Sequence, residues 1–240
     1  MIRWLISLVF MTHIYFMMVV IGLLWAPYAI LSPEGARAGA KAYSRYVFWS
    51  ARWMIGLRVE VRGEVPSGEV IIAAKHQSFL DIMMIFTALP TAKFIMKKEI
   101  LWTPVIGLYA KRLGCVPVER RKRGAAISKM VRDVENGKVL PGQLIIYSQG
   151  TRMAPGVKAP YKVGTAVLYK QLQQPCVPVA TNAGVFWPRT GVLRKPGLAV
   201  VEFLPAIPVG QDKDTFMAGL EDVVETHSNA LMREAGFDPS

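Results

Sequence analysis

The pattern of apolar and polar positions divides the chain near residue 57. Residues 2–31 form a continuous apolar run whose only charge is Arg3. Apolar runs of about 18 residues or more are typical of membrane-spanning helices. A signal peptide is the alternative, but its apolar region usually covers only about 7–15 residues. The run therefore predicts a retained membrane anchor.

Residues 36–57 predict a second helix with basic and aromatic residues. One helical face contains four cations, at Arg37, Lys41, Arg45 and Arg52. Aromatic rings and cations together favour the headgroup layer of a membrane, although a solvated surface helix is the alternative. Positive charge after the first span also indicates that the following domain faces the cytoplasm. Residues 1–57 are thus predicted to form a membrane-embedded two-helix element.

From residue 58 onward, short apolar runs alternate with helical stretches. The predicted strands are LRVEVRG, EVIIAAK, AKFIMK, CVPVER, QLIIYSQ, CVPVATN and LAVVEFLP. Helices are predicted over residues 80–89, 100–112, 124–138, 163–173 and 212–235. This alternation predicts one α/β domain over residues 58–240, with a largely parallel sheet flanked by helices.

Composition narrows the class of partner. The 240 residues are 52% hydrophobic and have a formal net charge of +12. A chain that is both apolar and basic suits an anionic membrane surface. It contains no helix-turn-helix, zinc-finger or RNP-like pattern, so we expect no nucleic-acid partner. Its two cysteines, Cys115 and Cys176, form no metal-binding motif, and we expect no metal site.

The stretch KHQSFLD contains the most informative polar pair. It places His76 after a buried strand and Asp81 in the first turn of the next helix, at the sheet edge where ligands usually bind. A carboxylate-held imidazole can remove a proton from an attacking hydroxyl. The alternative is a capped turn with a satisfied histidine. His13, in the apolar run, and His227, in a polar helix, are weaker candidates for a base.

Two further stretches concentrate cations at strand ends. YSQGTR presents Thr151 and Arg152 after a turn at Gly150, and this arrangement can grip a phosphate. The stretch VERRKRG contains Arg120 and three further cations, which suit a phosphate clamp or the phosphates of a coenzyme A donor. An ordinary basic surface loop is the alternative for both stretches.

Together these stretches resemble the blocks of the glycerolipid acyltransferase family, and specifically its bacterial 1-acyl-sn-glycerol-3-phosphate (lysophosphatidic acid) acyltransferases. His76 and Asp81 match its H-x-x-x-x-D block, and Gly114 with Arg120 match its second block. The third block, E-G-T-R, is matched by residues 150–152, with Gln149 replacing the glutamate. The strand CVPVAT matches the fourth block.

The resemblance implies an enzyme of phospholipid biosynthesis in the cell inner membrane. It would transfer a fatty acyl group from acyl-CoA or acyl carrier protein to the sn-2 hydroxyl of lysophosphatidic acid, without a cofactor. His76 would be the general base and Asp81 its partner. The acceptor would be bound by Arg120, Gln149, Gly150, Thr151 and Arg152. Because Gln149 and Lys75 depart from the family pattern, another lysolipid such as a lyso-ornithine lipid is an alternative, as is a non-catalytic lipid-binding protein.

Overall fold

The computed structural model describes residues 1–118 and 141–239. Its α-helices are α1 (Ile2–Leu31), α2 (Pro33–Met54), α3 (Phe79–Ala88), α4 (Ile106–Arg112), α5 (Gly164–Leu172), α6 (Ala183–Phe186) and α7 (Lys213–Glu234). Its strands are β1 (Leu57–Arg62), β2 (Ile71–Ala74), β3 (Lys93–Lys97), β4 (Val116–Val118), β5 (Leu144–Tyr147), β6 (Cys176–Thr181) and β7 (Gly197–Phe203). Arg120 and the helix predicted over residues 124–138 lie outside the described residues.

The seven strands form one sheet in the order β1-β7-β6-β2-β5-β3-β4. Neighbouring strands are parallel except for the antiparallel pair β6–β7. The predicted α/β class with a largely parallel sheet is therefore confirmed. Strand β2 lies between β6 and β5, where Ile71, Ile72 and Ala73 are fully buried. This central strand leads directly into the KHQSFLD stretch.

Helices α1 and α2 pack against each other as a hairpin. Ser32 caps α2 by accepting a hydrogen bond from the Gly35 amide at 2.9 Å. Helix α1 is long and apolar enough to cross a membrane by length and composition, with a mean hydropathy of 2.1 and only 22% of its most apolar window buried. The exposed apolar side therefore makes α1 a candidate membrane element.

Helix α1 also contacts the α/β body along much of its length. The ring of Phe10 meets the edge of Trp187 at a centroid distance of 5.6 Å. Further along, the Tyr109 hydroxyl donates to the Gly22 carbonyl at 2.8 Å. A Cβ at Gly22 would lie 2.4 Å from the Val105 side chain, so a larger residue there would force this contact apart. One side of α1 is thus packed on protein and the other is free to contact lipid.

Three local features differ from the predictions or add to them. The helix predicted over residues 100–112 is divided into a 3-10 helix, Lys98–Trp102, and α4, because Pro104 has no amide donor and Val105 adopts a φ of 63°. The short helix α6 was not predicted. Of the four cations on one face of α2, Lys41 is bonded within the protein, because its ammonium donates to the Leu89 carbonyl at 2.6 Å.

Candidate active site

His76 and Asp81 meet across the turn between β2 and α3. The Nδ1 atom of His76 lies 2.8 Å from Oδ1 of Asp81. Because an ionised carboxylate only accepts hydrogen bonds, Nδ1 carries the proton and donates it. In the neutral imidazole, Nε2 is then the nitrogen that can accept a proton. The His76 side chain is 12% exposed and that of Asp81 is fully buried, so the pair is partly sheltered from water.

Asp81 also closes the first turn of α3. Its Oδ2 atom accepts hydrogen bonds from the amides of Gln77, at 2.8 Å, and Ser78, at 2.7 Å. Ser78 is the N-cap residue, and its hydroxyl accepts from the Leu80 amide at 3.0 Å. The sequence left open whether this stretch is a catalytic pair or a capped turn. In the structure the same carboxylate holds the His76 ring through Oδ1 and caps the turn through Oδ2.

Tyr147 is a site residue that the sequence analysis did not identify. Its ring stacks on His76 with a centroid distance of 3.9 Å and an interplanar angle of 19°. The contact arises because β5 is the parallel neighbour of β2, with Tyr147 opposite Ala74. Burial and the nearby negative charge of Asp81 raise the pKa of Tyr147. The phenol ring thus stays neutral, and its stacking contact limits rotation of the imidazole. The tyrosine at the end of a strand was the available signal.

The loop after β5 brings the YSQGTR stretch to the same place. Gly150 turns the chain with a φ of 71°, a conformation that favours glycine. Beyond Arg152, the Met153 amide donates to the His76 carbonyl at 2.8 Å, which ties this loop to the histidine. Gln149 is buried, and its Oε1 atom has no hydrogen-bond partner among the described residues. The amide oxygen thus remains available to accept from a ligand.

A cavity of about 1160 Å³ connects these groups to the N-terminal helices. Its polar residues include His76, Gln149, Gly150, Thr151, Arg152 and Lys162. Most of the lining is apolar and comes from α1 to α4 and β3, including Met18, Ala40, Phe86, Phe94, Val105 and Ile106. The cavity is therefore amphipathic, with cations and the histidine at the strand ends and apolar side chains reaching to the N-terminal helices.

Arg189 is a second residue that the sequence analysis missed. It lies in the loop after α6 and lines the same cavity. Its Nη1 atom donates to the Arg152 carbonyl at 3.2 Å, so two guanidinium-bearing residues are neighbours. Sequence patterns contain little sign of this contact, because 36 residues lie between the two arginines. With Lys97 and Lys162, these two arginines bring four cationic residues to one cavity.

Lys75 and Glu225 form a largely buried ion pair next to the end of β2. Lys75 is 2% exposed, and its ammonium donates to Oε1 of Glu225 in α7 at 2.6 Å. The Tyr161 hydroxyl donates to the same oxygen at 3.0 Å. Burial and the charge of Glu225 raise the pKa of Tyr161. The residue directly before His76 is therefore fixed to α7 and to the loop after β5.

Replacing Lys75 with methionine is expected to destabilise the protein by about 2 kcal/mol or more, because Glu225 loses its cation while remaining largely buried. For a chain of this size that corresponds to a fall in Tm of about 4–8 °C in a thermal melt. The double variant Lys75→Met/Glu225→Leu should recover much of the loss. A Tm unchanged within error in the single variant would contradict this role for the pair.

The other candidate groups lie elsewhere. Nε2 of His13 is 2.6 Å from the Tyr46 hydroxyl, and Nδ1 of His227 is 3.1 Å from Oε2 of Glu202. Neither histidine lines the large cavity. Within residues 1–118 and 141–239, no group of three or more His, Cys, Asp or Glu residues is arranged to hold a metal ion. Of the described residues, His76 is thus the histidine at the cavity.

Comparisons with known proteins show which family the chain resembles. A family model described as Acyltransferase matches residues 57–182. The 1-acyl-sn-glycerol-3-phosphate acyltransferase of Pseudomonas aeruginosa is 25% identical over 80% of this chain and 76% of its own length. The 1-acyl-sn-glycerol-3-phosphate acyltransferase alpha of Bos taurus is 29% identical over 81% of this chain and 69% of its own length.

A solved structure shares the fold. The crystal structure of the 1-acyl-sn-glycerophosphate acyltransferase from Thermotoga maritima matches with a TM-score of 0.79 at 20% sequence identity. The match covers 95% of this chain and 97% of that one, so it includes the N-terminal helices as well as the sheet. The family model covers more than half of the chain, including β2, α3 and the loop after β5. The chain belongs to the acyltransferase family.

Proposed function

We propose that the protein is a 1-acyl-sn-glycerol-3-phosphate acyltransferase, which converts lysophosphatidic acid to phosphatidic acid. The amphipathic cavity is the observation that most supports this function. It combines a carboxylate-held histidine and four cationic residues with a long apolar lining. A lysophospholipid phosphate and an acyl chain have the matching chemistry. The names of the Pseudomonas and Bos taurus relatives give the same activity.

In the proposed mechanism, His76 acts as the general base. Its Nε2 atom takes the proton from the sn-2 hydroxyl as that oxygen attacks the thioester carbonyl carbon. Asp81 stabilises the resulting imidazolium through Nδ1. When the tetrahedral intermediate collapses, the carbon–sulfur bond breaks, and the imidazolium returns the proton to the leaving thiolate. No enzyme nucleophile is required, and the histidine ends in its starting state.

The acceptor phosphate is assigned to the loop after β5. Arg152 supplies a guanidinium suited to a phosphate, and Thr151 provides a hydroxyl beside it, after the turn that Gly150 makes with a φ of 71°. Gln149 belongs to this proposal because it is buried in the same loop and lines the cavity. Arg120 belongs to this proposal through its match to the family's second block.

The donor is proposed to be acyl-CoA or acyl carrier protein. Both present a thioester, and thiolate departure needs no metal or redox cofactor. The fatty chain is assigned to the apolar part of the cavity, beginning beside His76 at Phe79 and continuing past Phe86 and Phe94. Burying each methylene in such a lining contributes about 0.8 kcal/mol to binding. The cavity thus favours a long acyl chain over a short one.

We place the enzyme on the cell inner membrane, with the α/β domain facing the cytoplasm. The exposed apolar side of α1 supports membrane embedding, and it includes Trp4, Val9, Phe16, Leu23 and Leu24. On α2, Trp49 and Trp53 are exposed beside Arg45 and Arg52, as expected for the anionic headgroup layer. Basic residues near an apolar helix favour the cytoplasmic side.

An acceptor panel tests the proposed function. We expect purified enzyme to acylate lysophosphatidic acid with a kcat/KM at least about tenfold above that for a lyso-ornithine lipid, which lacks the phosphate that pairs with Arg152. In Arg152→Gln, the KM for lysophosphatidic acid should rise about tenfold or more. The measurement is labelled acyl transfer at varied acceptor concentration.

Arg58→Gln is the matched control, because Arg58 is exposed on β1 and does not line the cavity. It should leave the acceptor KM unchanged. Preference for the lyso-ornithine lipid would reject lysophosphatidic acid as the acceptor. Absence of transfer to every lysolipid, with the donor bound, would instead support a non-catalytic lipid-binding protein.

A further inference from the structure

A second cavity, of about 300 Å³, lies beside the beginning of α1. Its charged lining residues are Arg3, Arg194 and Lys195, and within the described chain no acidic residue lines it. It shares no lining residue with the His76 cavity. Its size is at the lower end of the range for ligand pockets. Its charge makes it suitable for an anion.

Arg194 is buried there without a counterion. It is 5% exposed, and among the described residues no carboxylate pairs with it. Its Nη1 atom donates to the carbonyls of Gly191 and Leu193, at 3.1 and 3.0 Å, but its Nε atom is buried without a described partner. Burial lowers the pKa of Arg194 to about 10. A buried cation without an anion destabilises the protein, so binding of an anion beside Arg194 would be favourable.

The nearby acidic residues do not fill that role. Glu234 lies just before the cavity residue Ala235, but its carboxylate pairs with Arg62 at 2.8 Å. Asp238 follows Phe237 in the chain and does not line the cavity. The partner of Arg194 is therefore best supplied from outside the described chain.

The position of the cavity indicates where that anion comes from. Arg3 lies among exposed apolar residues at the start of α1, namely Ile2, Trp4, Leu5 and Ile6. The next residue, Ser7, joins α1 to the cavity because its hydroxyl accepts from the Arg194 amide at 2.9 Å. An exposed apolar helix face beside a basic cavity matches a lipid, whose chains and phosphate lie next to each other.

We propose that this cavity binds the phosphate of an anionic phospholipid of the surrounding membrane. Arg194 contacts the phosphate from the α/β domain, with Lys195 beside it and Arg3 from α1. The bound lipid thereby joins the start of the membrane helix to the loop between α6 and β7. The same loop holds Trp187, whose ring lies 4.9 Å from the Arg194 guanidinium and 6.5 Å from Phe79 of the large cavity.

The test is a titration of the full-length protein in neutral detergent with short-chain phosphatidylglycerol. Native mass spectrometry reports the bound lipid and its dissociation constant. Short-chain phosphatidylcholine and inorganic phosphate are the comparison ligands. Three variants are measured beside the wild type: Arg194→Gln, the exposed pair Arg3→Ala/Lys195→Ala, and the control Lys213→Ala. The large cavity is unchanged in all of them, so differences in affinity report the second cavity.

We expect phosphatidylglycerol to bind the wild type and Lys213→Ala equally. Affinity should fall about tenfold or more in the exposed pair variant, since two cations are lost. Arg194→Gln should show a similar loss if it folds, and the exposed pair decides the test if it does not. Equal affinity in the wild type and the exposed pair, or equal binding of inorganic phosphate, would overturn the proposal. Acyl transfer is assayed in parallel, so intact transfer with unchanged lipid affinity would reject this site alone.

Discussion

Replacing His76 with alanine is expected to lower kcat roughly 100- to 10,000-fold, the range that a general base contributes. The acceptor hydroxyl would have to lose its proton without Nε2, and no other described histidine lines the cavity. The KM for the donor should change little, because the apolar lining that holds its chain is intact. Labelled acyl transfer under saturating donor and acceptor measures the effect.

His227→Ala is the matched control for this variant. Like His76, His227 has its Nδ1 atom near a carboxylate, at 3.1 Å from Glu202, but it is partly exposed and lies outside the cavity. It should keep wild-type kcat. A thermal melt and a vesicle-binding assay confirm that His76→Ala folds and associates with membranes. An equal loss of activity in both variants would contradict a specific role for His76.

Replacing Asp81 with asparagine is expected to lower kcat about 1,000-fold or more. The amide removes the charge that stabilises the imidazolium, and its NH₂ group can donate to Nδ1, which favours the wrong tautomer. The same change weakens the turn, because Oδ2 accepts from the amides of Gln77 and Ser78. A stability loss of about 1 kcal/mol should accompany the kinetic one.

Ser78→Ala separates these two effects. It removes the capping hydroxyl that accepts from Leu80, while the Ser78 amide can still donate to Asp81. We expect a stability loss of about 1 kcal/mol with kcat within a few-fold of the wild type. If Ser78→Ala lost as much activity as Asp81→Asn, the carboxylate would matter only for the turn.

The local features of the site were predictable because they depend on short segments. The buried strand, the turn and the apolar helix placed His76 and Asp81 at the end of one strand. The strand-turn pattern placed Gly150 and Arg152 at the end of another strand. In the structure these two strand ends are neighbours, since β2 pairs with β5. Periodicity identifies a strand but not its neighbour, which is why the stacking of Tyr147 on His76 was not predicted.

Long-range contacts account for the other differences. Arg189 reaches Arg152 only because α6 and its loop return to the cavity. The pairing of Lys75 with Glu225 depends on α7, which begins more than 130 residues later in the chain. Lys41 is half-buried because the end of α3 lies beside α2 and offers it the Leu89 carbonyl. Sequence patterns identify the elements, whereas these contacts depend on how the elements are assembled.

In the proposed mechanism the acyl group moves directly from donor to acceptor, with His76 as the base. The most direct test is a rapid-quench single turnover with donor labelled in its acyl group, excess lysophosphatidic acid, and either wild type or His76→Ala. For the wild type we expect label to move from donor to phosphatidic acid without labelled protein on the way. For His76→Ala we expect it to stay on the donor during the wild-type turnover time. Phosphatidic acid formed by His76→Ala at the wild-type rate, or an acylated enzyme on the path, would contradict the mechanism.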